Sequence, residues 1–375
     1  FYNLLAHNFG PAVGPFVLAL LVAVGLFLPA RWLSYRLGAV AQPGGRNIHE
    51  RPTARLGGIC LLGGFAVSAL VFALPRSGSD HRALVIVVSS TIAAAVLTLD
   101  DVRPMRARDK VVLQLLLALG VALAGLSIRF INLGSLGVIQ LGILAVPITV
   151  LWLMGMQNTM NLLDGIDGLA AGVAAIVAGA LLLAAVNRAG HEAGQGVVVL
   201  LCSALVGACV GFLLFNFNPA RIFMGDGGSH FLGLALGGLS IYGIAKGAVV
   251  FAMVVPLAAL AVPIFDTGWA IVRRRRNRVS IGHPDTAHIH HQLLDFGLSQ
   301  RQTCLVFYFA TGITACLGLM LFGHRKILAV AVVLLVVALS TLVGERLSEL
   351  ENARLASPAG GIDAEGPGTT ALLES

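Results

Sequence analysis

Apolar residues fall in eleven long runs separated by short polar segments, and this alternation dominates the chain. The runs are Val13–Trp32, Leu56–Leu74, Ala83–Leu99, Val111–Leu126, Val138–Gly155, Leu169–Val186, Val197–Phe215, Phe231–Ala245, Ala248–Ile271, Thr303–Phe322 and Ile327–Val343. Most approach the roughly 17–25 residues that cross a bilayer as an α-helix. The pattern predicts an all-α polytopic membrane protein of about eleven transmembrane helices over residues 1–343. Residues 344–375 turn acidic and then rich in Gly, Pro and Ala, which predicts a disordered tail.

Composition agrees. Of 375 residues, 57% are hydrophobic and 11% charged, with a mean hydropathy of +0.89, which excludes an ordinary soluble domain. The formal charge of +7 does not indicate nucleic acid, because its placement follows the membrane. Alternate connections collect 18 of the 25 Lys and Arg residues, from Arg31 and Arg36 through Arg273–Arg276 to Arg346 and Arg354. The positive-inside bias puts those connections and the C-terminus in the cytoplasm and the N-terminus outside. The chain opens on Phe1, which suggests a missing native start. Its first run has basic residues behind it, which predicts an uncleaved span. The five cysteines lie in or beside apolar runs without a CxxC, so no disulfide framework or cysteine zinc site is expected.

Polar chemistry gathers in the connections assigned to the cytoplasm. Asn158, Asn161, Asp164 and Asp167 recur at every third residue, a spacing that puts them on one drifting helical face. Acidic groups at a span end are costly unless hydrated, paired or bound to a cation. A plain reading is a solvated loop. Four polar groups in register favour a site. Asp100-Asp101, followed by Arg103, Arg106, Arg108 and Lys110, suits a divalent cation beside a phosphorylated substrate, or a carboxylate pair with raised pKa acting as base. A hydrated turn with internal ion pairs is the plain alternative.

Arg46, Arg51 and Arg55 surround Gly57-Gly58, an arrangement that suits phosphate if the glycine amides are free. Otherwise it is a basic loop entering a span. In Phe223-Met224-Gly225-Asp226-Gly227-Gly228-Ser229, Asp226 among glycines can approach a metal, Phe223 can stack on a base, and the following helix start can face phosphate. A turn with a helix cap explains only the second half. His288, His290 and His291 lack companion ligands for zinc and fit phosphate contacts better.

Taken in order, Asn161-x-x-Asp164-Gly-x-Asp167-Gly-Leu, Phe-Met-Gly-Asp226-x-Gly-Ser and His-x-His-His resemble the polyprenyl-phosphate N-acetylhexosamine-1-phosphate transferases, over roughly Arg46 to Gln302. That family includes the phospho-MurNAc-pentapeptide translocases. The resemblance implies Mg²⁺-dependent transfer (Mn²⁺ as a substitute) of a sugar 1-phosphate from a UDP-sugar to a polyprenyl phosphate, with release of UMP. It implies that Asp100 and Asp101 face the lipid phosphate, one as its base, and that Asp226 is the main metal ligand, with Asp101 and Asn161 beside it. Asn161, Asp164, Asp167, Asn216 and Phe223 match positions around nucleotide and metal. Arg55, Arg108 and Lys110 match phosphate-facing cations, and His288, His290 and His291 match the sugar-loop histidines.

The loop Arg46-x-x-His49-x-x-Pro52-x-x-Arg55-x-Gly-Gly and the ending His-Ile-His-His-Gln-Leu-Leu resemble the UDP-GlcNAc branch that starts cell-envelope polysaccharides such as teichoic acid or lipopolysaccharide O-antigen. Ala41 and Ser280-Ile-Gly-His-Pro depart from that pattern and leave the donor sugar open. Membrane lipids are expected partners, and dimers occur in the family. The rivals are a donor of the phospho-MurNAc-pentapeptide type, a secondary transporter and a silent scaffold. A covalent aspartyl-phosphate route through Asp226 or Asp101 is the mechanistic alternative.

Overall fold

The computed structural model describes residues 2–42, 52–132, 137–189, 192, 194–243 and 299–320. Within them the chain is helical, with two short ribbons. Its helices are α1 (Tyr2–Gly25), α2 (Phe27–Leu37), α3 (Gly58–Ser68), α4 (Arg82–Val102), α5 (Ala107–Leu123), α6 (Ala145–Leu163), α7 (Leu169–Arg188), α8 (Gln195–Asn216), α9 (Gly225–Tyr242) and α10 (Gln300–Met320). A wide π turn over Ala69–Ala73 and a 3₁₀ turn over Leu74–Arg76 extend α3. Among the described residues, seven helical stretches are long and apolar enough to cross a membrane. Helices α5 and α9 coincide with two further predicted spans, and the runs beginning at 248 and 327 lie outside the described residues.

Two expectations change. The run predicted from Val138 does not start as a helix. Val138–Gln140 forms strand β4, pairing antiparallel with β3 (Phe130–Asn132), and α6 begins only at Ala145. Positive φ values at Gly137 and Gly142 turn the chain there. The first span is also longer than predicted, because α1 and α2 run nearly end to end over Gly10–Leu37.

Small residues set the packing. In lipid, helices associate through close backbone approach more than through burial of apolar surface. Gly207 and Gly211, one turn apart on α8, meet α1 so closely that a Cβ would stand 2.2 Å from the Phe16 carbonyl oxygen and 2.8 Å from that of Leu20. Gly64 of α3 meets the Ala19 carbonyl in the same way, and Gly233 of α9 lies against Gln157 of α6. Helix α9 is buried along its length and packs against α4 and α6, while α7 lies against α8 and α10. This central position of α9 fixes where its N-terminus, and Asp226, must sit.

A second device ties the connection between α2 and α3 to the one between α8 and α9. Strand β2 (Thr53–Ala54) pairs with β1 (Val40–Ala41), and Ala54 bridges to Ile222. The Phe223 amide donates to Ala54 O at 2.7 Å, and Gly57 and Gly58 donate to Phe223 O and Met224 O at 2.8 and 2.9 Å. The glycine amides expected to face phosphate are therefore spent on this junction. Glycine is needed here because a Gly58 Cβ would fall 2.6 Å from the Gly228 nitrogen.

Candidate active site

Helices α4 and α6 end, and α5 and α9 begin, at one face of the bundle, and their terminal residues meet. Lys110 Nζ lies 2.6 Å from both Asp100 Oδ2 and Asp226 Oδ2. Asp100 is almost fully buried, so this ammonium is what makes two neighbouring carboxylates tolerable. Asn161, on the last turn of α6, donates from Nδ2 to Asp226 Oδ1 at 3.2 Å and to Ser229 Oγ at 3.1 Å. The Asp226 carboxylate is thus held from two elements, α5 and α6.

Asp101 works differently. Its Oδ1 accepts the Asp226 amide at 3.0 Å and its Oδ2 the Gly227 amide at 3.1 Å. It caps the N-terminus of α9, whose unpaired amides and dipole favour a carboxylate there. Its side chain is 2% exposed, and Arg55 stands 3.9 Å away. The helix start expected to face phosphate is therefore occupied by a protein carboxylate. Gly225 makes this possible, with φ +71° and a Cβ position 2.5 Å from both Arg55 O and Asp101 Oδ2.

The three-residue spacing of Asn158 to Asp167 does not give one helical face. Helix α6 stops at Leu163, Asp164 forms its C-cap, and Gly168 at φ +85° opens α7. The glycines after Asp164 and Asp167 break the register. Asn158 donates to Gln114 Oε1 at 3.0 Å, and Gln114 reaches His230 Nδ1 at 3.5 Å. Asp164 stays beside the cluster. Desolvation, with the charges of Asp101 and Asp226, pushes its carboxyl well above the usual carboxylate range.

Asp167 belongs to a second assembly. Its Oδ2 accepts from Asn218 Nδ2 at 3.1 Å and from the Ala220 amide at 3.0 Å. Asn216 Oδ1 accepts the Gly168 amide, and its Nδ2 donates to Ile222 O. Tyr308 of α10 donates to Gly168 O at 2.6 Å, and Arg301 donates to Asn218 O at 2.8 Å. These residues shape the loop rather than touch the Lys110 cluster. Arg108 is exposed and pairs with Asp109, 3.5 Å away. Phe223 is half-buried at the loop junction. His288, His290 and His291 lie outside the described residues, as do Arg46 and Arg51.

Sequence reasoning missed Gln114, His230 and Arg301. Gln114 is an isolated polar group inside an apolar run and His230 stands at the edge of one, which is a usable signal. Arg301 gives none, since its partner is a backbone carbonyl.

Among the described residues, no set of three or more His, Cys, Asp or Glu side chains is arranged to hold a metal. The oxygen donors around Asp226 nevertheless have the hard character that Mg²⁺ prefers. Between Asp100 and Asp226 the positive charge is supplied by Lys110.

The fold and this cluster define a polytopic membrane enzyme with its carboxylates at one bilayer face. Residues 83–244 match the model of glycosyl transferase family 4. A probable undecaprenyl-phosphate N-acetylglucosaminyl 1-phosphate transferase of Bacillus subtilis (strain 168) is 36% identical over 294 residues, 78% of this chain and 80% of that protein. A decaprenyl-phosphate N-acetylglucosaminephosphotransferase of Mycolicibacterium smegmatis is 36% identical over 313 residues, 76% of each chain. A phospho-N-acetylmuramoyl-pentapeptide-transferase of Moorella thermoacetica is 33% identical over 337 residues, 83% of this chain and 98% of that one. The chain belongs to glycosyl transferase family 4 and is a polyprenyl-phosphate sugar-1-phosphate transferase.

Proposed function

We propose that the chain transfers N-acetylglucosamine 1-phosphate from UDP-N-acetylglucosamine to a polyprenyl phosphate at the cytoplasmic face, releasing UMP and starting a cell-envelope polysaccharide. The observation that carries this reading is the meeting of Asp100, Asp226, Lys110 and Asn161 at one end of the bundle, where a membrane lipid's phosphate and a soluble donor can both arrive. The Bacillus and Mycolicibacterium relatives, both named for N-acetylglucosamine phosphate transfer, support the donor sugar.

The chemistry needs no protein nucleophile. An oxygen of the lipid phosphate attacks the sugar-linked phosphorus, a new phosphoanhydride bond forms, and the bond to the bridging oxygen of UMP breaks as its electron pair leaves with UMP. Such transfers depend on positioning and charge neutralisation. Mg²⁺, with Mn²⁺ as a substitute, would be held by Asp226 with Asn161 beside it, and would supply positive charge at the phosphates, whereas both oxygens of Asp101, expected as a further ligand, already accept the α9 amides. Asp101 holds the α9 backbone so that Asp226 faces the site. Asp100 is the carboxylate nearest the lipid phosphate, and Lys110 passes its charge to the incoming phosphates.

The test is UMP release by detergent-purified protein given polyprenyl phosphate, Mg²⁺ and a panel of UDP-sugars. Release that requires both lipid and metal, with UDP-N-acetylglucosamine preferred, is expected. Full-rate release by Asp226→Ala, or substrate uptake into proteoliposomes without UMP, would overturn the reading. The Moorella relative supports a second donor, UDP-MurNAc-pentapeptide, and the same panel separates the two.

A further inference from the structure

The bundle has a second concave site at the face opposite the carboxylates. A cavity of about 670 Å³ lies where four spanning stretches end, at Gly10, Arg76, Arg82 and Gln195. Helix α4 alone, with 21 residues, separates it from the Asp100–Asp226 cluster by about 30 Å. Its lining combines apolar Pro11, Phe72, Val197 and Leu200 with polar Arg76, Ser77, Ser79 and Asp80, the polar group falling where the α3 span ends and connects to the α4 span. Because it sits at span ends, this division falls at the boundary between hydrocarbon and headgroups.

The charges in this polar group are not balanced. Asp80 is taken by Arg82, whose Nη2 is 2.6 Å from Asp80 Oδ2, and it also accepts from the Tyr242 hydroxyl at 3.0 Å. Arg76 is exposed, donates one N–H to Phe72 O at 2.9 Å, and has no carboxylate partner among the described residues. An arginine at a span end can simply reach into water. Here it lines an open, partly apolar volume of ligand size, where its remaining N–H groups suit a phosphate in two-point contact.

We propose that this cavity binds an anionic phospholipid of the leaflet opposite the carboxylate site. The phosphodiester lies on Arg76, and an acyl chain enters over Phe72, Val197 and Leu200. Zwitterionic lipids share the phosphate but carry an ammonium that Arg76 repels. Basic pockets between spans select lipid headgroups on this principle.

Gly196 offers a clean way to block the site. It lines the cavity, yet a Cβ there meets nothing within 4 Å, so a large side chain enters the cavity rather than a neighbour. The experiment is native mass spectrometry of the full chain in detergent with phosphatidylglycerol, phosphatidylcholine or inorganic phosphate. Wild type is expected to retain phosphatidylglycerol selectively, and Arg76→Gln and Gly196→Trp each to lose that adduct by about tenfold. Unchanged melting and elution would show that both variants fold. Should Gly196→Trp not fold, Gly10→Trp fills the same cavity from α1, where a Cβ likewise meets nothing. Equal retention by wild type and both variants overturns the proposal. So does equal retention of phosphatidylcholine, or phosphate displacing the lipid at matched concentration. None of these readouts depends on the transfer reaction.

Discussion

Lys110 sits between Asp100 and Asp226 at hydrogen-bond distance from each, and at the scale of single residues it decides the charge of the site. Lys110→Met removes that ammonium and leaves a buried carboxylate facing a partly buried one. Breaking a fully buried ion pair costs about 3–5 kcal/mol, and the partial exposure of Lys110 and Asp226 reduces this to about 2 kcal/mol. Denaturation of the purified variant would measure the loss, and UMP release is expected to fall to background. Gly225→Ala should also destabilise, by about 1–3 kcal/mol, because alanine resists φ +71° and its Cβ would collide with Arg55 O and Asp101 Oδ2. A variant melting like wild type would mean that the α9 N-terminus can relax without losing its cap.

Among the elements, α4 and α9 form a pair fastened at both ends. Asp101 caps the start of α9, and the Asp80–Arg82 pair receives Tyr242 near its end. The Arg82 hydrogen bonds hold the Asp80 carboxyl down at about 2, against an ordinary value of 3.8. A depressed acid stabilises the fold fully above its unfolded value, and that support disappears as pH falls through its folded value. The melting temperature should therefore drop between about pH 4 and pH 2, and Asp80→Asn should flatten that segment of the curve. An identical pH profile in the variant would remove this fastening from the account. On α8, Gly207→Leu should abolish the α1 contact and the monodisperse protein, whereas Gly179→Ala on α7, with nothing near its Cβ, should be neutral. Fluorescence-detected size exclusion distinguishes these outcomes.

For the whole molecule, nine of the eleven predicted spans coincide with helices among the described residues, because hydropathy reports directly what lipid requires. The carboxylates and Asn161 were equally legible, since polar groups at span ends stand out against an apolar background. What the sequence hid was division of labour. Asp100 and Asp101 look alike as a pair, yet one faces Lys110 on the next helix and the other caps α9 through the Asp226 and Gly227 amides, more than 100 residues away along the chain. Gly57-Gly58 stays open between a phosphate cradle and a basic loop entering a span, because nothing local shows that Phe223 and Met224 accept its amides. Asp164 and Asp167 read as one face because the three-residue spacing continues past the point where α6 stops.

The junction of Gly57 and Gly58 with Phe223 and Met224 also sets a schedule for biogenesis. The ribosome makes its first half about 170 residues before its second. At bacterial translation rates the early glycine amides wait roughly 10–30 s for their acceptors. Until α9 emerges, a nascent chain holding α1 to α8 displays a loop that no finished molecule displays. A chain stopped at Phe217 should therefore be cleared by membrane proteases faster than the full chain, and pulse-chase half-lives would record the difference.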